Sequence, residues 1–144
     1  MKFASVRVEP FVLGPQGVRE RDPSPYLSRA QATCLERLVA SGIFASVAAV
    51  GADEPATGPT LMVHAELTEL RIVGSTMRFL FGGQAGDSVM TFNVTLRDAG
   101  TGVVVRSGAV ADWSPGTWKG ERDESLAETV GAGVAEFVEL GARR

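Results

Sequence analysis

Apolar and polar residues alternate most regularly in the segment 77–105. Met90, Phe92, Val94 and Leu96 fall on one side of the alternation, and Thr91, Asn93, Thr95 and Arg97 fall on the other. A short turn at 98–102 leads into a second strand at 103–112. The pattern predicts a β-hairpin with one buried face and one solvent-exposed face, in which Asp98 serves as a turn residue.

Three further runs have strand patterns. Residues 2–11 alternate and predict the first strand, and the apolar run 43–50 predicts a buried strand beside it. Residues 60–73 alternate and then change phase near Thr68 and Glu69. Such a change of phase indicates a β-bulge.

Two segments have helical spacing. The first begins at the Pro-rich stretch 22–25, continues through apolar positions between 27 and 39, and ends at Gly42, which suits a left-handed C-terminal position. The second spans residues 121–140 and contains Gly131 and Gly133. A glycine inside a helix costs about 1 kcal/mol relative to alanine. We therefore expect close packing there, with this helix face lying tight on the sheet.

The element order is thus β-α-β-β-β-β-α. It predicts a single α+β domain over residues 1–144, a two-layer sandwich. Its mostly antiparallel sheet has about five strands, with two helices on one face.

Composition narrows the functional classes. The chain has 144 residues, 44% of them hydrophobic, and a net charge of −3 with its 14 Lys and Arg residues scattered. Nucleic-acid binding requires a basic surface, so it is not expected. No run of about 18 apolar residues is present to span a membrane. Cys34 is the one cysteine and falls within the first helical pattern, which predicts a small core residue.

Candidate chemistry is sparse. His64 is the one histidine and shares its strand face with Glu66, which could hydrogen-bond to it. That pair lacks the partners of a catalytic triad or a zinc site. The glycines at 82–86 precede a strand rather than a helix, which is wrong for a phosphate-binding loop. We therefore predict no catalytic residue, no metal site, no cofactor and no enzymatic activity.

Clustered aromatic and apolar residues are the more informative signal. They lie just before the hairpin and just after it: Met77, Arg78, Phe79, Leu80, Phe81, Trp113 and Trp118. One interpretation is that these side chains close the open end of the sheet and complete the core. The other is a partner-binding surface, because aromatic residues and Met are enriched at the centres of interfaces.

The run Arg78-Phe-Leu-Phe-Gly-Gly-Gln-Ala-Gly86 and the turn Asp98-Ala-Gly-Thr-Gly102 resemble a bacterial lipoprotein family, the domain-of-unknown-function-4410 group. The likeness covers nearly the whole chain and extends to envelope lipoproteins similar to curli-secretion and TolB amino-terminal domains. It implies an exported protein, tethered by lipid to the outer membrane and facing the periplasm, without a known reaction. The chain lacks the family's lipid-bearing amino-terminal cysteine, so this localisation requires that a targeting segment was removed, and the protein is otherwise cytoplasmic.

Together these observations favour a non-enzymatic assembly or binding module of a bacterial envelope complex. We expect a protein partner or self-association, because antiparallel sheets leave edge strands that can pair. The membrane would be reached only through a lipid anchor that this chain does not carry. The alternatives are a small-ligand-binding protein or enzyme with a pocket between sheet and helices, and a cytoplasmic structural subunit of a larger complex.

Overall fold

Six strands and two helices make up the part of the fold that the structure describes. The computed structural model describes residues 3–14, 23–52, 56, 58–71, 88–114 and 123–143. The elements follow one another as β1 (Ser5–Val8), β2 (Val12–Leu13), α1 (Ser24–Ser41), β3 (Ser46–Ala49), β4 (Thr60–Arg71), β5 (Ser88–Asp98), β6 (Val104–Ser114) and α2 (Asp123–Ala142). Within these ranges, neither helix combines the length and the apolar character that crossing a membrane requires.

The strands form one mixed sheet in the order β3-β1-β4-β5-β6, with β2 also paired to β4. The long ladders β4–β5 and β5–β6 are antiparallel, and the short pairings of β1 with β3 and β4, and of β2 with β4, are parallel. The parallel β1–β3 pair follows from α1, which crosses between the two strands. The α+β sandwich predicted from the sequence is therefore confirmed.

The first predicted strand, at 2–11, contains only β1 in the structure, and a second short strand, β2, follows beyond its predicted end. The chain leaves the β1 ladder after Val8 and returns to β4 at Val12. Pro10 lies in this interval and has no backbone N–H to give to a ladder. The break accounts for six strands where the alternation predicted about five.

Other local predictions are confirmed. Pro23 occupies the N-cap of α1 with Pro25 in its first turn, and Gly42 ends the helix in the left-handed region with φ of 67°. The register of β4 against β5 shifts between Leu67 and Glu69, which is the predicted bulge. The extra residue restores the alternation, because Leu70 is buried again.

One face of the sheet and both helices share a single hydrophobic core. The inward sets are Leu61, Val63, Ala65 and Leu67 of β4, and Met90, Phe92, Val94 and Leu96 of β5. From the helices the core receives Ala30, Cys34 and Leu38 of α1, and Leu126, Val130, Val134 and Val138 of α2. Burial of both helices in the same cluster confirms that they lie on one face of the sheet.

The close packing expected at the α2 glycines is present, but on two different neighbours. A Cβ atom at Gly133 would contact Val110 of β6, as an approach to the sheet predicts. A Cβ atom at Gly131 would instead overlap the backbone of Ala30 in α1. The glycines in the sequence correctly predicted close packing at α2. They did not show that Gly131 packs against a helix, while Gly133 packs against the sheet.

Candidate functional site

The residues predicted to bind a partner lie mostly outside the described part of the chain. Met77, Arg78, Phe79, Leu80, Phe81 and Trp118 fall in the gaps at 72–87 and 115–122. Trp113 belongs to β6, where its backbone pairs with Val89. A partner-binding role for these residues stays a prediction.

The two gaps attach to the sheet at the same end. Arg71, the last residue of β4, pairs with Val89, and Ser88, the first residue of β5, pairs with Ser114, the last residue of β6. Neighbouring strands are separated by about 4.8 Å, so these attachment points lie within roughly 10 Å of one another. The fold therefore brings together the ends of the two segments that the sequence singled out.

Strand β6 forms one edge of this sheet. It pairs with β5 along one side, and no described strand pairs with its other side. Its eleven residues include neither Lys nor Pro, and five of the nine whose burial is described are exposed: Val104, Ser107, Gly108, Ala109 and Ala111. Natural proteins usually protect an exposed edge with Lys, Pro or a short strand. Within the described residues, this edge is long and has neither Lys nor Pro; its charged residues are Arg106 and Asp112, and its register against β5 shifts between Leu96 and Arg97.

The inner face of β6 is held firmly by α2. The guanidinium of Arg106 lies 4.1 Å from the centroid of the Phe137 ring, and a Cβ atom at Gly108 would contact the same ring. Arg106 also donates a hydrogen bond to the Phe137 carbonyl. This packing ties the inner face of β6 to α2, while no described strand pairs with the other side of β6. The opposite edge, β3, has only four residues, Ser46–Ala49.

The face of the sheet away from the helices carries a cluster of three ionisable side chains. Nδ1 of His64 lies 2.6 Å from a carboxylate oxygen of Glu9, and Nε2 lies 3.0 Å from a carboxylate oxygen of Glu66. About a third of each side chain is exposed. The hydrogen bond to Glu66 raises the pKa of His64 most strongly. Burial lowers this pKa, the contact with Glu9 raises it again, and the net shift is upward.

The sequence predicted one of these two contacts. Glu66 lies two residues from His64 on the same strand, so alternation alone placed it on the same face. Glu9 is 55 residues away and reaches His64 only because β1 runs parallel to β4 with Val8 opposite Val63. No signal in a single sequence gives that register.

The arrangement around His64 does not match a metal centre. Among the described residues, no group of three His, Cys, Asp or Glu side chains is placed to share a metal ion. Both ring nitrogens of His64 already face carboxylates, so the ring bridges two chain segments. The chemistry open to this cluster is the gain and loss of a proton.

A groove of about 770 Å³ runs along α2, bounded by the end of α1 and by β6. Its charged lining residues are Arg37, Asp112, Glu136, Glu139 and Arg143. Because His64 and its two carboxylates lie on the other face of the sheet, they are separate from this groove. The groove is open to solvent and has a lining of mixed charge.

Cys34 lies on the inner side of α1 and is fully buried. Burial, with a smaller effect of Glu139, raises the pKa of its thiol to about 12. A thiol with such a pKa is protonated at neutral pH and is a poor nucleophile. The prediction of a core residue is confirmed.

Comparison with known proteins identifies the fold. No protein-family model matches the chain, and no curated protein matches it. Among solved structures, a dodecameric point variant of PelC from Paraburkholderia phytofirmans aligns with a TM-score of 0.62 and 22% identity, covering 99% of this chain and 90% of that one. A second PelC dodecamer structure from the same organism gives a TM-score of 0.57 and 20% identity over 92% and 85% of the two chains.

A Xanthomonas campestris protein of the DUF330 family aligns with a TM-score of 0.56 and 14% identity, covering 98% of this chain and 86% of that chain. At these identities the similarity establishes a shared fold along nearly the whole chain. Membership of the 4410 family was inferred from sequence motifs alone and stays a prediction.

Proposed function

We propose that this protein is a non-enzymatic assembly module of a bacterial cell envelope, which associates with copies of itself through the free edge of β6. The observation that carries the proposal is this edge: eleven residues long, without Lys or Pro, and exposed at Ser107, Gly108, Ala109 and Ala111. A free edge offers a row of N–H and C=O groups to which another strand can add.

The shared fold with PelC supports self-association, because the PelC chains that align with this one come from dodecamers. The two edges of the present sheet differ, since β6 has eleven residues and β3 has four. An interface that joins two different surfaces is heterologous and generates a ring when the rotation closes. A closed ring is therefore the form of assembly we expect.

The envelope location rests on the sequence motifs and on the similarity of fold to PelC. We place the protein in the periplasm, tethered to the outer membrane by a lipid anchor outside the present sequence. Met77–Phe81, Trp113 and Trp118 are proposed as a second, partner-facing surface, since the gaps that contain most of them attach to one end of the sheet.

Light scattering coupled to size-exclusion chromatography tests the role of the β6 edge. The variant Ala109→Lys/Ala111→Lys adds two charges to exposed positions of the edge strand. We expect it to shift the protein from oligomer to monomer, because charged side chains on an edge oppose strand addition.

The matched control is Asn93→Lys. Asn93 is exposed and pairs with Ala109, one strand in from the edge. A charge there should leave the oligomer intact if association uses the edge. A monomeric wild-type protein at all concentrations tested, or equal disruption by the edge variant and the control, would contradict the proposal.

The partner-facing surface requires a separate experiment. Phe79→Ser/Trp118→Ser should abolish capture of a partner by the tagged protein in envelope extracts while leaving the oligomeric state unchanged. If capture and oligomeric state both stay as in the wild type, the assignment of these residues is wrong.

A further inference from the structure

His64 joins two parts of the chain that are far apart in sequence. Glu9 lies between β1 and β2, and Glu66 pairs through its backbone with Val12 of β2. One of the two carboxylates that contact the ring therefore precedes β2 in the chain, and the other belongs to the residue of β4 with which β2 pairs. Strand β2 has only two residues, and the side chains of both are exposed.

The protonation state of the ring decides how many of these contacts are hydrogen bonds. Ionised carboxylates only accept hydrogen bonds, and a neutral imidazole has one N–H to donate. An imidazolium has two and can donate to Glu9 and Glu66 at the same time. A neutral ring satisfies one carboxylate and turns a lone pair toward the other.

We infer that His64 is a pH-sensitive latch, which fastens the segment 9–14 to β4 when the ring is protonated and loosens it when the ring is neutral. In the neutral state Glu9 and Glu66 compete for one ring proton, so the contact between Glu9 and His64 is populated for only part of the time. This inference does not depend on the proposed function.

The remaining attachments of the segment are backbone hydrogen bonds and one side-chain contact. The N–H of Glu9 donates to the Val63 carbonyl, and the N–H of Gly14 donates to the Leu67 carbonyl, each at 2.9 Å. The N–H of Phe11 donates to Oε1 of Gln31 in α1, also at 2.9 Å. These bonds hold the segment in place at high pH, so the latch changes local stability and leaves the fold intact.

Charged groups on the neighbouring strands complete the surroundings of the ring. On β1 the position before Val8 is Arg7, whose guanidinium donates to the Ser46 hydroxyl and to the Val6 carbonyl. On β5 the residue opposite His64 is the uncharged Thr95, and Arg97 lies two positions further along. Both helices pack on the opposite face of the sheet. Among the described groups, Glu9 and Glu66 are those that contact the ring directly.

NMR spectroscopy can follow this latch without ambiguity, because His64 is the one histidine of the chain. The protein is prepared without a histidine tag and titrated from pH 5 to 9. Ring nitrogen shifts report the protonation state and tautomer of His64, and amide exchange, corrected for intrinsic rates, reports protection at Glu9, Phe11 and Gly14. We expect protection at these amides to fall roughly three- to tenfold as the ring loses its proton, in line with the loss of one partly exposed hydrogen bond.

Glu66→Gln separates the latch from general effects of pH. A glutamine amide can accept from the protonated ring and donate to the neutral one, which leaves Nδ1–H for Glu9 at every pH. The variant should keep high protection throughout the titration. The control Glu69→Gln changes an exposed carboxylate of the same strand and should keep the wild-type response.

Two results would overturn the inference. One is a neutral ring that stays wholly in the Nδ1–H tautomer, with unchanged protection at Glu9, Phe11 and Gly14. The other is a pH response of Glu66→Gln equal to that of the wild type.

Discussion

Gly131 of α2 lies so close to Ala30 of α1 that a methyl group at Gly131 would overlap the Ala30 carbonyl oxygen. The helices meet backbone to backbone at this point, and their contact helps to position both helices above the sheet. The glycine is therefore a packing requirement of the α1–α2 crossing.

Gly131→Ala should destabilise the protein by about 1–2 kcal/mol, measured by urea denaturation. Alanine favours a helix by about 1 kcal/mol over glycine, but overpacking against an immobile backbone costs more, typically about 1–3 kcal/mol and at times above that. Gly133→Ala is the matched control, because its Cβ would contact a movable methyl group of Val110. If Gly131→Ala is as stable as the wild type, the close backbone contact between Gly131 and Ala30 is wrong.

The turn between β5 and β6 depends on the side chain of Asp98. Its Oδ1 accepts hydrogen bonds from the N–H groups of Gly100, at 2.8 Å, and Thr101, at 3.4 Å. Asp98→Ala should lower the free energy of unfolding by roughly 1 kcal/mol, since both bonds are lost. Asp98→Asn keeps an acceptor at the same position and should lose much less. Equal losses in the two variants would show that the turn depends on the charge of Asp98 instead.

Folding stability should depend on pH through His64. Its pKa is raised in the folded protein, first by Glu66 and then by Glu9, above the ordinary value of 6.5. The stabilisation is therefore complete below pH 6.5 and is lost as the pH rises through the folded-state pKa. Urea denaturation of the wild type and of His64→Gln at pH 5.5 and 8.5 measures it. The advantage of the wild type should shrink at the higher pH, and a constant difference would contradict the prediction.

Cys34 should be inert in the folded protein. Burial keeps a reagent from reaching the thiol, and a pKa raised to about 12 keeps the thiol protonated at neutral pH, so that little of the reactive thiolate forms. We expect no reaction with a disulfide reagent such as Ellman's on the time scale of minutes under native conditions. In denaturant one thiol per chain should react at once, which serves as the control. Rapid labelling of the native protein would place Cys34 outside the core.

Much of the fold could be predicted from patterns of neighbouring residues in the sequence. Alternation identified the inward faces of β4 and β5, the change of phase identified the bulge after Leu67, and Gly42 identified the end of α1. Each of these features depends on residues close together in the chain, where the periods of strand and helix apply directly. The break between β1 and β2 was missed, although Pro10 marked it.

Less of the candidate site could be predicted from hydrophobic periodicity and turn propensity. Exposed positions on β6 could be read from alternation, but the place of β6 at an edge depends on the order of strands in the sheet. His64 and Glu66 were paired correctly, whereas Glu9 was not considered. The predicted aromatic surface belongs largely to segments outside the described residues, and only Trp113 is located, on β6.

The sequence by itself determined most of the elements, the inward faces of the long strands and the chemistry that the side chains could offer, because hydrophobic periodicity and turn propensity act over a few residues. Tertiary structure alone decided which elements touch. The parallel register of β1 on β4 brings Glu9 to His64, the crossing of α1 and α2 fits Gly131 to Ala30, and the order of strands leaves β6 at the edge. These relationships arise from burial of one shared core, whose contacts join residues tens of positions apart and leave no local periodic signal.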